Sequence, residues 1–178
     1  MLNHLPNYCI VTNRWQILIG IGALLLGSCV YLFDRTPDHT YFIARLGVDT
    51  SFYNILPNLF GQMKDCLPSF IHAFSFILIT AGIISSKKKG YIIVCAGWFV
   101  IDCVFELGQK YNSLILKIIP DWFSGVPFLE NSRNYFFRGT FDVIDLAAVL
   151  TGSLTGYFVL IITMEKGKYN DGKSRWNN

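Results

Sequence analysis

Acidic side chains inside apolar stretches are the first feature of this sequence that could do chemistry. Asp102 and Glu106 lie four residues apart in one apolar run, and Asp142 and Asp145 lie three residues apart at the start of another. Residues three or four apart share one face of a helix. A charged Asp near the centre of a membrane helix costs about 2.5–3.5 kcal/mol on insertion scales. We therefore expect the acids to face the interior of a helix bundle.

A histidine, a glutamine and an arginine could act together with these acids. A carboxylate beside a protonated His or an Arg recovers much of its burial cost through a charge-assisted hydrogen bond. Clustered carboxylates also differ in proton affinity, so one can act as a base while a neighbour or a histidine acts as an acid. The candidate catalytic residues are His72, Glu106 and Asp145, and the candidate ligand-binding residues are Asp102, Gln109, Arg138 and Asp142.

Long apolar runs must position these residues. The chain is 52% hydrophobic and 16% aromatic, and its apolar residues gather into four stretches. A membrane-crossing helix needs about 20 apolar residues. The first and last runs are full spans, and the middle two are at the lower limit of length. The sequence predicts an all-α, single membrane domain over residues 1–178, a four-span helical bundle with spans at about 15–33, 68–84, 91–107 and 141–164.

Small residues at regular spacing mark one face of the fourth predicted span. Ala148, Gly152 and Gly156 follow one another at four-residue intervals, a pattern that lets a neighbouring helix approach closely. Asp145 lies three residues before Ala148 and shares this face. We expect the stripe to pack against another helix of the bundle, a partner helix or a second copy of the chain.

The basic residues predict an orientation in the membrane. Lys87, Lys88 and Lys89 crowd the second connection, and further Lys and Arg residues follow the last span. Positive residues favour the cytoplasmic side. This predicts a multi-pass protein of the cell inner membrane, with both termini in the cytoplasm and segments 34–67 and 108–140 outside. The polar candidates in three spans then lie at one level, near the outer interface.

The two outer segments mix aromatic, apolar and polar residues. In the first, Phe42–Leu46 and Phe52–Phe60 have the composition of short amphipathic helices on a bilayer surface. In the second, the apolar run Leu114–Ile119 is followed by several aromatic residues that favour the membrane interface. We expect both segments to carry short interfacial helices.

Charge and cysteine content exclude several classes of function. The net charge of +3 is small and does not indicate nucleic-acid binding. Five cysteines contain no CxxC pair, so neither a disulfide framework nor a zinc site is indicated. No cofactor is predicted. A divalent metal held by His72, Glu106 and an Asp is an alternative, although no compact ligand motif is present.

These motifs together resemble the signature of the VanZ-like family of small membrane proteins. In that family a helix ending in Glu-x-x-Gln is followed by an arginine, an Asp-x-x-Asp pair and a glycine-spaced helix. Here the matching elements are Glu106-Leu-Gly-Gln109, Arg138, Phe141-Asp-Val-Ile-Asp145, Gly152 and Gly156, with His72 early in the preceding span. A long aromatic segment before Arg138 marks a divergent member. The resemblance implies a polytopic membrane protein and no particular reaction.

Three functions are compatible with the sequence. The polar cluster could bind or act on a polar or lipid-linked molecule of the cell envelope, with enzymatic activity left open. It could instead latch the helices together in a structural or assembly subunit. A proton-coupled carrier is the third hypothesis, and it requires a polar path to the cytoplasm that would begin at Asp102.

Overall fold

Helices make up nearly all of the part of the chain that the structure describes. The structure, a computed structural model, describes residues 12–34, 60–84, 87–127 and 129–175, and no strand occurs within them. The α-helices are α1 Arg14–Asp34, α2 Leu67–Ile84, α3 Lys88–Lys110, α4 Asn112–Ile118, α5 Ser132–Arg138 and α6 Val143–Arg175. Two short 3-10 helices cover Gly61–Lys64 and Asp121–Gly125.

Four of these helices are long and apolar enough to cross a membrane. Their membrane-compatible stretches are Arg14–Phe33, Leu67–Ile84, Lys88–Lys110 and Val143–Met164. The predicted all-α, four-span architecture is therefore confirmed. The last span begins two residues later than expected because Asp142 lies outside the helix and caps it, its Oδ1 accepting a hydrogen bond of 2.9 Å from the Ile144 backbone N–H. The helix then continues to Arg175, beyond the predicted end of the span.

Short helices also occur between the spans. The helices α4 and α5 and one 3-10 helix lie in the segment 108–140, where interfacial helices were predicted. The prediction for Phe42–Leu46 falls outside the described residues, as does that for Phe52–Phe60 except for its last residue.

The helix α2 is the centre of the bundle, packing against α1, α3 and α6. A buried apolar cluster formed by α2, α3 and α6 lies in the half of the bundle where α3 begins, and its members are Ile77, Leu78, Ala81, Tyr91, Val94 and Leu160. The outward faces of the spans carry large exposed apolar side chains, among them Leu25, Ile93 and Phe158. This arrangement is the one expected of helices surrounded by lipid.

The glycine stripe of α6 lies against α2. A Cβ atom added to Gly152 would lie 2.6 Å from the backbone oxygen of Phe70, and one added to Gly156 would lie 3.2 Å from the Ile77 side chain. The absence of a side chain at Gly152 lets the two backbones meet. The stripe is therefore occupied within the chain itself.

A buried hydrogen-bond network joins α1, α3 and α6 at the end of the bundle where α1 begins. Gln16 is fully buried, and its Nε2 donates to the Tyr91 hydroxyl at 2.9 Å and to Thr163 Oγ1 at 3.0 Å. Beside it, the Asn13 backbone N–H donates to the Gly82 carbonyl of α2 at 2.8 Å. Four spans are thus tied together by polar groups at this end, which we call the Gln16 network.

Candidate functional site

The candidate acids and the candidate histidine lie at the opposite end of the bundle. His72 is near the beginning of α2, Asp102 and Glu106 are in the second half of α3, and Asp145 is in the first turn of α6. Because consecutive spans run antiparallel, these positions come to one end. We call His72, Asp102, Glu106 and Asp145 the acidic cluster.

His72 pairs with Asp102 across the α2–α3 contact. The His72 Nδ1 atom lies 3.1 Å from Asp102 Oδ1. The Asp102 side chain is 7% exposed, whereas the His72 side chain is 50% exposed. The second carboxylate oxygen of Asp102 is buried and has no hydrogen-bond partner among the described residues. In this pair the carboxyl group is therefore buried, whereas the imidazole ring is accessible.

Glu106 is a buried acid one helical turn from Asp102. Its residue exposure is 8%, and its Oε2 atom is buried with no hydrogen-bond partner in the described part of the chain. Asp102 lies one turn away on α3, and Asp142 and Asp145 stand at the beginning of α6 at the same end of the bundle, so the neighbouring acids repel a carboxylate here. A buried, unpaired carboxyl group surrounded by like charges is energetically costly and calls for a compensating partner.

Asp145 is held by a residue that the sequence motifs did not single out. The hydroxyl of Ser69 donates to Asp145 Oδ1 at 3.0 Å, which links α2 to α6. Ser69 lies three residues before His72 and shares its face of α2, and this spacing was the available signal. The close contact between Gly152 and Phe70 brings the two helices together beside this hydrogen bond.

Gln109 lies at the rim of the cluster, where α5 packs on the end of α3. Its Nε2 donates to the Tyr135 hydroxyl at 2.9 Å. A Cβ on Gly139 would lie 2.6 Å from the Gln109 carboxamide carbon, so the chain after α5 presses on this side chain. Desolvation by burial raises the pKa of the Tyr135 phenol. The hydroxyl therefore stays protonated and retains an O–H donor.

Arg138 does not have the position that the sequence predicts. Its side chain is exposed and forms no ion pair or hydrogen bond with any residue that the structure describes. The helix α5 packs Phe136 against Gly108 of α3, and Arg138 comes two residues later, about 200° around the helix. The direct contacts that the structure shows are His72–Asp102 and Ser69–Asp145. A water-mediated contact of Arg138 or His72 with Glu106 and Asp145 stays a prediction.

The other candidates have local partners or packing roles. Asp142 caps α6 as described above, and Ala148 is half-buried on the same helix as Gly152 and Gly156. Within the ranges 12–34, 60–84, 87–127 and 129–164, no three His, Cys, Asp or Glu side chains are arranged to hold a metal ion. The alternative of a divalent metal on His72, Glu106 and an Asp has no support from these residues.

Comparisons of the chain with models of protein families, with curated proteins and with solved structures each found no match. The chemistry of the acidic cluster must therefore be argued from its own geometry.

Proposed function

We propose that this membrane protein binds a polar or lipid-linked molecule of the cell envelope through its acidic cluster, and that it is a divergent relative of the VanZ-like proteins. In this proposal the protein resides in the cell inner membrane with both termini in the cytoplasm, so that the cluster faces outward. The support for this orientation is the placement of Lys87, Lys88 and Lys89 at the other end of the bundle.

The observation that carries the proposal is the pair of unpartnered carboxyl oxygens on α3. Asp102 Oδ2 and Glu106 Oε2 are both buried and both lack a hydrogen-bond partner among the described residues. A buried acceptor that is left without a hydrogen bond costs about 1–3 kcal/mol of stability, and more when it is charged. A donor or a positive charge bound at the exposed edge of the acidic cluster would lower the electrostatic cost of burying both acids. Ionisable groups inside membrane spans are functional candidates for this reason.

A purely structural latch accounts for less of the geometry. The Ser69–Asp145 hydrogen bond and the His72–Asp102 pair do tie helices together. Glu106 joins no helix to another, because it has no polar partner among the described residues. A buried acid without a polar partner would weaken a structural latch, whereas in a binding site its charge can act on a ligand.

A proton-coupled carrier is disfavoured by the middle of the bundle. Between the acidic cluster and the Gln16 network lie the apolar side chains of Ile77, Leu78 and Val94. Along α2, seven residues separate Ser75 from Gly82, a distance of about 10 Å. Among the described residues no Asp, Glu, His, Lys or Arg side chain lies in this stretch of the bundle, so a carrier would lack a titratable relay there.

The proposal is tested by identifying the molecules that co-purify with the protein. Wild type and Glu106→Gln are extracted together with their lipids into polymer-bounded nanodiscs and analysed by native mass spectrometry. We expect a molecule that is retained by the wild type and lost from Glu106→Gln. The matched control is Glu130→Gln, the same substitution at an exposed position outside the spans, which should retain it.

Two results would contradict the proposal. Equal retention of every co-purifying molecule by all three proteins would exclude binding through Glu106. Loss of folded Glu106→Gln protein from the membrane, with Glu130→Gln unaffected, would favour the structural latch.

A further inference from the structure

We propose that the His72 imidazole is the group that contacts the ligand, that Asp102 acts through it as a positioning residue, and that the ligand is an amphiphile whose head group carries an N–H or O–H donor. This inference rests on the proposed function and identifies its ligand class. Three features of the cluster support it. They are the contact of His72 Nδ1 with Asp102, the exposure of the imidazole ring, and the acidic side chains near it.

The contact with Asp102 sets the proton arrangement on the imidazole ring. In the arrangement that we propose, Asp102 accepts and His72 Nδ1–H donates the hydrogen bond across the 3.1 Å contact. In the neutral ring, Nε2 is then the acceptor, with a free lone pair. A carboxylate holding Nδ1–H in this way is how histidine bases are oriented in hydrolytic triads. The atom available to a ligand at His72 is therefore an acceptor.

The His72 ring is accessible within the membrane-compatible part of α2. His72 is half exposed, although it lies five residues into a membrane-spanning helix, about 8 Å from its beginning. The rings of Phe76 and Trp98 lie 4.5 Å and 6.0 Å from the imidazole. Trp98 already donates its indole N–H to Thr80 Oγ1 at 3.0 Å. The two aromatic rings beside the imidazole therefore present an apolar surface. A polar head at His72 with an acyl chain along the aromatic rings matches this surface.

The charges around His72 select a donor head group. Asp102 and Glu106 each have a buried oxygen without a hydrogen-bond partner among the described residues, and they lie one turn apart on α3. These groups are acceptors, and they disfavour a bare anion. A hydroxyl or an ammonium group could donate to Nε2, whereas a trimethylammonium group has no N–H to donate.

The proton arrangement is tested by nitrogen NMR of histidine-labelled protein in phosphatidylcholine nanodiscs. The His72 resonances are assigned by their loss in His72→Gln. We expect the proton on Nδ1 in the wild type and in Asp102→Glu, and a shift of the population toward Nε2–H in Asp102→Asn, because an amide can donate to Nδ1. A wild-type ring protonated on Nε2 alone would overturn the inference, as would an unchanged spectrum in Asp102→Asn.

The ligand class is tested by changing the lipid head group at constant acyl chains. Nanodiscs of phosphatidylcholine are compared with nanodiscs containing added phosphatidylethanolamine or phosphatidylglycerol, which carry N–H and O–H donors. We expect the His72 Nε2 resonance to move with at least one donor lipid and to lose this response in Asp102→Asn. A resonance that is identical in all three lipids would overturn the ligand class.

The two sets of experiments can contradict the proposed function and the inference about His72 separately. If Glu106→Gln keeps its bound molecules while His72 responds to donor lipids, the role of Glu106 in the proposed function is wrong and the role of His72 stands. If a molecule is lost from Glu106→Gln while Nε2 is insensitive to head groups, the binding function stands and the inference about His72 is wrong.

Discussion

The side-chain amide of Gln16 in α1 donates a hydrogen bond of 2.9 Å to the hydroxyl of Tyr91 in α3. The same nitrogen also donates to Thr163 Oγ1 of α6 at 3.0 Å. One fully buried residue thus holds three spans together at the end of the bundle remote from the acidic cluster. This hydrogen bonding fixes the relative positions of helices that carry the acidic cluster at their other ends.

Replacing Gln16 should weaken the bundle. In Gln16→Leu the Tyr91 and Thr163 hydroxyls lose their donor, and we expect a loss of about 1–3 kcal/mol in the free energy of unfolding. Denaturation in mixed detergent micelles measures it. The control is Gln62→Leu, at an exposed position before α2, which should change stability by less than about 0.5 kcal/mol. Equal effects of the two substitutions would show that the network does not stabilise the fold.

The close approach of α6 to α2 depends on Gly152. In Gly152→Leu the new Cβ would lie 2.6 Å from the Phe70 backbone oxygen, and neither backbone can yield cheaply. We expect a loss of at least about 1–3 kcal/mol, the usual range for overpacking, measured by thermal unfolding in detergent. In Gly97→Leu, where nothing lies within 4 Å of the added Cβ, stability should be retained. A stable Gly152→Leu would contradict the packing of these two helices.

The pairing of His72 with Asp102 predicts energetic coupling between them. A double-mutant cycle of His72→Ala and Asp102→Ala should give an interaction energy of about 0.5–3 kcal/mol, the range for residues in contact. The same cycle between Arg138→Ala and Asp145→Ala should give a value near zero, because Arg138 forms no ion pair with the described residues. Strong coupling would show that Arg138 is the counter-ion of Asp145, as the sequence predicts.

Neutralising Glu106 should not destabilise the protein. Its carboxyl group is buried beside other acids and has no partner among the described residues, so the isosteric Glu106→Gln removes a cost rather than an interaction. We expect the free energy of unfolding, measured without added ligand, to stay equal or rise by about 1 kcal/mol. A loss of more than about 2 kcal/mol would indicate that the carboxylate is part of the structural framework.

The orientation can be tested by labelling in a variant that lacks the five native cysteines. A cysteine introduced at the exposed position Lys88 should be reached by an impermeant thiol reagent only after the cells are opened. One introduced at Ser124, which is also exposed, should be labelled in intact cells. The reverse pattern would place the acidic cluster on the cytoplasmic side and remove the envelope molecule from the proposed function.

The hydropathy of the sequence alone determined the number and approximate limits of the spans. A bilayer accepts only helices of sufficient apolar length, so four apolar runs became α1, α2, α3 and α6. Antiparallel connection then brought His72, Glu106 and Asp145 to one end, since depth follows from residue count along each helix.

The tertiary structure alone decided which of these residues meet. Pairing across helices depends on how far each helix is rotated and shifted against its neighbour, and contacts such as Gly152 on Phe70 set that relation. The sequence therefore pointed to His72, Asp102 and Asp145, but not to the pairing of His72 with Asp102 or to Ser69 as the partner of Asp145. Gln16 was missed because an uncharged amide in an apolar run leaves no mark in the charge pattern. Its role becomes apparent only when Tyr91 and Thr163 are brought beside it in space.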